Sequence, residues 1–519
     1  MATNDRAGGN SQAGNTPVSD KPETGGTQQP ISKSLSDTRQ ELEKLLSHCH
    51  DIVIQPSRYG ADFQYEVLSV HCGTLVEEKE VLFLKSALLD LACQEAAAFH
   101  SIVRENVIRF FENRGVTSSR VMVVEGLQNA IQHIVSGHVA IFFDGWNKAL
   151  SFNAYSVETR SVSEPITEPV VRGPHDSTTE DLTKNIGLLR SRLRNHLFKI
   201  EMFNAGGECR TTSAFGYLEG AVNPETLEEF KKRLAAAKDV EILDTSFIEE
   251  LIEDSTYSPF PQYRYTERPD TAIAAVLDGK IIVLTSGSPS IMICPGLFAE
   301  FFATSEDYYY RTVEATLLRQ LRVFAFFMAL TLPSIYIAIS TFHSELIPTV
   351  LLMAVLETRE GIPFPALVEA MLMEFFFELL REAGIRLPRP VGTAVSIVGA
   401  LVIGQAAIQA KIASPIMIII VALTGIASFS IPQYSIGVAL RVLRFPLMFL
   451  SGTLGGFGLM MGLLFIHLHL TALRSLGQPY LAPFAPFRIR ELRDILIRAP
   501  LKNLLRSPRN RHMHRSRKS

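Results

Sequence analysis

Up to about residue 320 charged and apolar residues interleave as they do in a soluble protein, and beyond it apolar runs dominate. The first regime predicts mixed α/β structure. Leu35–Leu46 reads as a short charged helix, and Leu82–Phe111 carries Leu89, Ala92 and Ala96 at helical spacing. Val121–Val124 reads as a strand and Glu125–Val135 as a helix. Val139–Phe143 reads as a strand that turns through Asp144-Gly145 into Leu150–Tyr155. Glu164–Ser177, with Pro165, Pro169, Gly173 and Pro174, is a connector. A second α/β unit follows, with strands at Lys199–Phe203 and Ser213–Leu218. A helix then starts on Asn223-Pro224-Glu225 and runs to about Lys238. Val240–Leu243 is expected as a strand. Ala272–Val276 and Lys280–Thr285 are expected as a hairpin turned by Asp278-Gly279.

The second regime, from about Leu321 to Leu473, predicts membrane helices, for which a bilayer core takes about 20 apolar residues. Arg322–Thr341 (kinked at Pro333), Val391–Ala410, Pro415–Ile431 and Phe445–Leu473 fit. Leu346–Leu356 is too short to cross and reads as re-entrant, and Ala366–Leu380 fits only if its carboxylates are sheltered. Arg381, Arg386, Arg389, Arg441 and Arg444 fall on the cytosolic side by the positive-inside rule. With both termini inside, the crossings must be even in number. The segments reach an even count only if the glycine-rich stretch Ser451–Gly458 breaks the last span; four and six crossings both satisfy the pattern.

Charge sharpens the picture. The formal net charge of -3 hides a tail, Arg488–Ser519, of about +9, which leaves about -12 on the remainder. Such a tail reads as a topogenic, lipid-binding segment rather than a nucleic-acid site. The first thirty residues are polar, with no apolar stretch of the kind a signal peptide has. The fold class is therefore an α/β cytosolic N-terminal region of two lobes followed by an all-α multi-span membrane domain. Its expected parts are a disordered leader (1–33), a first lobe (34–160), a connector (161–195), a second lobe (196–304), the membrane domain (305–475) and a basic cytosolic tail (476–519). The five cysteines are scattered without CxxC spacing, which argues against a disulfide framework or zinc. Phosphate-loop, dinucleotide, zincin and hydrolase motifs are absent from the sequence, so neither an enzyme nor a cofactor is expected.

Two constellations can carry chemistry. Glu374, Glu378 and Glu382 share one helix face, with Glu369 a turn earlier and Arg381 beside Glu378. They read either as an ion or proton pathway or as the polar face of an interfacial helix whose carboxylates pair with Arg381. Gly392, Ser396, Ala400 and Gly404 place a small residue at every fourth position, which suits close helix packing or a pore-facing helix. His343 with Glu345, and His467 with His469, have metal-like spacing, but no further ligands complete a site, so no metal is expected.

Several runs, taken in order, resemble the A subunits of bacterial spore germinant receptors, the GerA family. They are Glu168-Pro-Val-Val-Arg172-Gly-Pro174, Ser258-Pro-Phe-Pro-Gln262, Thr266-Glu-Arg-Pro-Asp270 and Ser305-Glu-Asp-Tyr-Tyr309, then Leu332-Pro-Ser334 and Phe342-His-Ser-Glu345-Leu-Ile-Pro-Thr349. Arg359-Glu-Gly-Ile-Pro-Phe-Pro365, Leu380-Arg-Glu-Ala-Gly-Ile-Arg-Leu-Pro388 and Ser396-Ile-Val-Gly-Ala-Leu-Val-Ile-Gly404 continue the series, so the resemblance spans roughly residues 36–480. It implies a homo-oligomerising membrane subunit in the inner membrane of the endospore. Its implied partners are a nutrient-sensing, permease-like B subunit and a lipoprotein C subunit, and its implied role is cation release during germination. Glu168, Arg172, Glu267, Arg268, Glu345, Arg359 and Glu360 become candidates for interface or gating contacts. This chain departs from the family pattern at His175–Thr178, at Ser286-Gly287 and at Lys411, where the family has glycine.

Overall fold

The structure, a computed structural model, describes residues 29–59, 65–82, 121–156, 167–206, 208–388 and 402–487, with a few positions outside these runs. Most of the leader, the expected Leu82–Phe111 helix beyond its start, Gly392, Ser396, Ala400 and most of the basic tail lie outside the described residues.

The first lobe is a five-stranded antiparallel sheet in the order β1-β2-β4-β5-β3, where β1 is Ile52–Tyr59, β2 Tyr65–Cys72, β3 Met122–Val124, β4 His138–Phe143 and β5 Ala149–Asn153. The Asp144-Gly145 turn joins β4 to β5 as the sequence predicts, with Gly145 at φ 73°. Helices α1 (Leu35–Leu45) and α2 (Leu127–Val135) cover one face, burying Leu42, Leu127 and Ile131 against Leu68, Val70 and Phe142. β1 and β2 escape the sequence reading. Pro56 sits in β1, which an edge strand tolerates because one row of its N–H groups needs no partner.

The second lobe repeats the plan in the order β6-β7-β9-β10-β8, with β6 Phe198–Ala205, β7 Thr211–Leu218, β8 Arg264–Thr266, β9 Ile281–Thr285 and β10 Ile291–Cys294. Helices α3 (Leu182–Arg192) and α6 (Pro269–Leu277) cover one face; α4 (Pro224–Leu234) and α5 (Thr245–Ile252) cover the other. With both faces covered, β9 alternates Ile281 and Val283 to one core and Ile282 and Leu284 to the other, so it reads as a continuous apolar run. Two expectations are corrected here. Ala272–Val276 lies in helix α6, not in a hairpin strand: Pro269 takes the first helical position with Asp270 in the first turn, and a short apolar run does not by itself separate helix from strand. Val240–Leu243 is irregular and leaves Leu243 exposed. The lobes are joined by a fully buried, two-bonded ion pair: Arg190 Nε and Nη2 donate to Asp51 at 2.8 and 2.9 Å.

The helical region comprises α7 (Thr312–Thr341), α8 (Thr349–Thr358), α9 (Ala366–Arg386), α10 (Pro415–Phe429) and α11 (Tyr434–Ala472), with residues 402–409 also helical. Of these, α7 and α11 are long and apolar enough to cross a membrane. α7, with Pro333 inside it, runs roughly 45 Å out from the second lobe. α11 is two antiparallel halves. Gly455 has φ 61° and ψ -142°, and beyond it Gly462 packs directly on Leu447 and Leu450. A straight helix would hold positions 447 and 462 roughly 22 Å apart. Both ends of α11 therefore return to the second lobe: Gln433 reaches Tyr265 O, and His469 Nε2 lies 2.8 Å from Ser258 Oγ. The expected glycine break is present, but it reverses the chain. Arg441 and Arg444 are corrected as well, since they lie inside α11 and are buried rather than standing in a loop.

Lys411 sits at φ 53°, the left-handed region where a side chain costs about 1 kcal/mol and glycine little. The only described bond of its side chain is a long one, Nζ to Glu360 O at 3.4 Å. Lys411→Gly is expected to raise the thermal unfolding midpoint of the detergent-solubilised chain, by about 0.5–1 kcal/mol in stability.

Candidate functional site

α9 carries a ladder of carboxylates, two held by partners from elsewhere in the chain and two by arginines of α9 itself. Glu369 is fully buried; its Oε1 accepts from Ser414 N (2.6 Å) and Ser414 Oγ, and Arg359 Nη2 lies 3.7 Å from its Oε2. Glu374, one turn on, is also fully buried and accepts from Arg444 Nη1 at 2.6 Å, while Arg444 Nε donates to Ala329 O of α7 at 2.8 Å. Glu378 pairs with Arg381, with Arg441 Nε 4.0 Å away, and Glu382 pairs with Arg386 at 2.6 Å. The sequence places the carboxylates on one face; the structure adds Arg444 and Arg441, which tie that face to α11. Isolated charges this deep are costly, and pairing with shared hydrogen bonds is what makes them tolerable. The pairing is incomplete. Glu369 Oε2, Glu374 Oε1, Glu378 Oε1, Arg381 Nε and Nη1, and Arg444 Nη2 are buried without a hydrogen bond. Among the described residues, Gly404 meets only Ile418, at 3.9 Å from where a Cβ would stand.

A second group gathers where the connector crosses the base of the helices. Thr266 Oγ1 donates to Glu168 Oε2 at 2.6 Å, and Gln433 Nε2 donates to Glu168 Oε1 at 3.0 Å. Removal from water pushes the Glu168 carboxyl above its ordinary range, against the pull of those bonds and of Arg264 and Arg268. Glu267 Oε2 accepts from Thr167 N, while its carbonyl accepts from Ser177 and Thr178. Arg268 is buried and grips Asp270 with two bonds, and its Nη2 also reaches Pro174 O at 3.0 Å. Arg172 lies over the Tyr310 ring at 5.7 Å. Arg359 and Glu360 belong instead with Glu369 and Lys411, and Glu345 stands apart, exposed, 3.6 Å from His343. The structure thus brings Glu168, Arg172, Glu267 and Arg268 together and leaves Glu345 out. No group of three metal-binding side chains occurs among the described residues.

The model of the Bacillus/Clostridium GerA spore germination protein family matches residues 40–510. The chain belongs to that family. It is 40% identical to the "Uncharacterized membrane protein YfkQ" of Bacillus subtilis (strain 168), covering 92% of this chain and 91% of that protein. It is 39% identical to "Spore germination protein KA" of the same organism, covering 91% and 85%. To "Spore germination protein GerLA" of Bacillus cereus it is 34% identical, covering 92% and 95%. Among solved structures, it is similar to the N-terminal domain of the A subunit of the Bacillus megaterium spore germinant receptor GerK3. That match has 23% identity and a TM-score of 0.41, and covers 52% of this chain and 98% of that one. Membership in the GerA family gives the chain a role in a germinant receptor.

For a GerA-family chain, sequence reasoning missed Arg444, Arg441, Ser414 and Gln433. A signal existed for the two arginines: they interrupt an apolar stretch, and an ionisable residue there calls for a carboxylate partner. Gln433 and Ser414 carry no such mark, since their partners are 265 and 45 positions away.

Proposed function

We propose that the chain is the non-enzymatic A subunit of a germinant receptor in the inner membrane of the endospore, with both termini cytosolic. It oligomerises there to form a nutrient-gated path for cation release. In this reading a permease-like B subunit senses the nutrient and a lipoprotein C subunit completes the complex. Supporting the membrane setting, α11 doubles back so that its two ends meet the same lobe, which keeps that lobe and the segment after Ala472 on one side.

The observation that carries the ion path is the incompletely satisfied ladder along α9. Buried polar groups are normally hydrogen-bonded, yet six atoms of Glu369, Glu374, Glu378, Arg381 and Arg444 have no hydrogen-bond partner. Such unused bonding capacity, set along one line between apolar helices, suits a path that strips and restores the hydration of a cation. A second reading is a scaffold that relays the state of the sensor to a separate channel. The neutralisation of each carboxylate within one chain favours it.

The test is potassium efflux from liposomes containing the assembled receptor complex. Glu374→Leu/Arg444→Met removes both charges and replaces them with apolar groups of similar size. Nutrient-triggered efflux is expected to fall at least about tenfold with assembly intact. Undiminished efflux from assembled variant complexes would support the scaffold.

A further inference from the structure

We propose that Glu168 and Gln433 form a latch that sets the position of α11, and with it the Arg444–Glu374 pair, according to the state of the second lobe. The proposal rests on the ion-path reading above and adds to it the element through which the soluble region acts.

Gln433 occupies the N-cap position of α11, where a side chain ordinarily bonds the free N–H groups of its own helix. It makes no such bond. Its buried amide points away from the helix and donates to Glu168 Oε1 at 3.0 Å and to Tyr265 O at 3.4 Å. Glu168, half-buried, spends its other oxygen on the Thr266 hydroxyl at 2.6 Å. One carboxylate thus ties three separate parts of the chain together: the connector, strand β8 of the second lobe and the N-cap residue of α11. It takes no ion pair among the described contacts, since the Arg268 side chain grips Asp270. Two and three turns along the same helix come Arg441 and Arg444, which hold Glu378 and Glu374. A helix is stiff along its axis, so a shift or rotation imposed at Gln433 moves both guanidinium groups against α9. The neighbouring connector bonds follow the same direction: Val171 N donates to Glu306 Oε1 at 2.6 Å, next to the base of α7. The connector therefore grips the segment leading into α7, which supplies Ala329 O to Arg444, and the N-cap of α11, which carries Arg444.

With the latch closed, Arg444 stays on Glu374 and the path stays shut. Breaking it lowers the nutrient demand and lets cations leak. A hydrogen bond to a charged group contributes roughly 1.5–3 kcal/mol, which corresponds to at least about a tenfold shift in an equilibrium constant.

The experiment is a double-mutant cycle in the full receptor complex with Glu168→Ala, Gln433→Ala and the pair. Two readouts are taken: the nutrient concentration for half-maximal potassium release, and hydrogen exchange over residues 434–444 without nutrient. Each single variant is expected to lower the half-maximal concentration by about tenfold and to speed exchange over 434–444, with the pair no worse than the stronger single. Gln433→Glu, which sets two carboxylates face to face, is expected to act like Gln433→Ala. Unchanged exchange in assembled complexes, or single effects that add in full, would overturn the latch. If the wild-type complex releases no cation, the ion-path reading fails while exchange still decides the latch.

Discussion

Arg444→Met alone is expected to cost about 3–5 kcal/mol of stability, and Glu374→Leu/Arg444→Met is expected to restore most of it. Arg444 is buried at 1% exposure and Glu374 is fully buried, with 2.6 Å between their bonded atoms. Removing the arginine strands a carboxylate between α7, α9 and α11, where little solvent reaches it, and that cost dominates. The pair variant leaves no charge to strand. It gives up the Arg444 bond to Ala329 O, a carbonyl whose helical partner four positions on would be Pro333, which has no N–H, so the pair variant recovers most of the loss but not all of it. The check is the order of thermal unfolding midpoints of the detergent-solubilised chains. The pair should lie somewhat below wild type and the single variant well below both. A single variant as stable as the pair would mean that Glu374 finds another cation, with Arg381 the nearest candidate. The same pair variant is the one whose efflux tests the ion path, so loss of flux there is not a by-product of misfolding.

What the sequence reveals and what it hides divides along the range of the interactions. Local chemistry is legible. Asn223 caps α4 by accepting from Glu225 N at 3.0 Å, and Pro224 takes the first helical position as expected. The long apolar helix with Pro333 is legible for the same reason: length and hydropathy are properties of the segment alone. The hairpin assigned to Ala272–Val276 fails because nine residues of buried helix and a covered strand look alike in hydrophobicity. Pro269 and Asp270, one turn earlier, held the evidence that separates them. In the ladder, the face of α9 follows from a spacing of four, but the partners of Glu369 and Glu374 lie 45 and 70 positions on. Nothing in the local pattern selects Arg444 over Arg381 for Glu374. Positive charge near an apolar run reads as a topological signal, whereas burial makes Arg444 a structural counter-charge.

The reversal at Gly455 makes the second large prediction. Its φ of 61° with ψ -142° is a conformation open to glycine and closed to β-branched residues, and a Cβ there would stand 2.8 Å from Phe342 Cγ. Three positions on, a Cβ at Gly458 would run into the carbonyl of Leu450, which is backbone and has no room to withdraw. Gly455→Val and Gly458→Leu are each expected to destabilise the helical region by about 3 kcal/mol or more, and the purified chain should lose its cooperative thermal transition. Gly404→Ala is the matched control: its nearest neighbour among the described residues, Ile418 Cγ2, lies 3.9 Å from where a Cβ would stand, and the change is expected to be neutral within about 0.5 kcal/mol. The comparison also bears on direction. Were α11 a straight helix, replacing Gly455 would improve it by removing a flexible residue, and the midpoint would rise. A fall at Gly455 and Gly458 with none at Gly404 therefore reports the turn itself. That turn brings His469 back to Ser258 and the last helix back to the lobe that carries Tyr265 and Thr266.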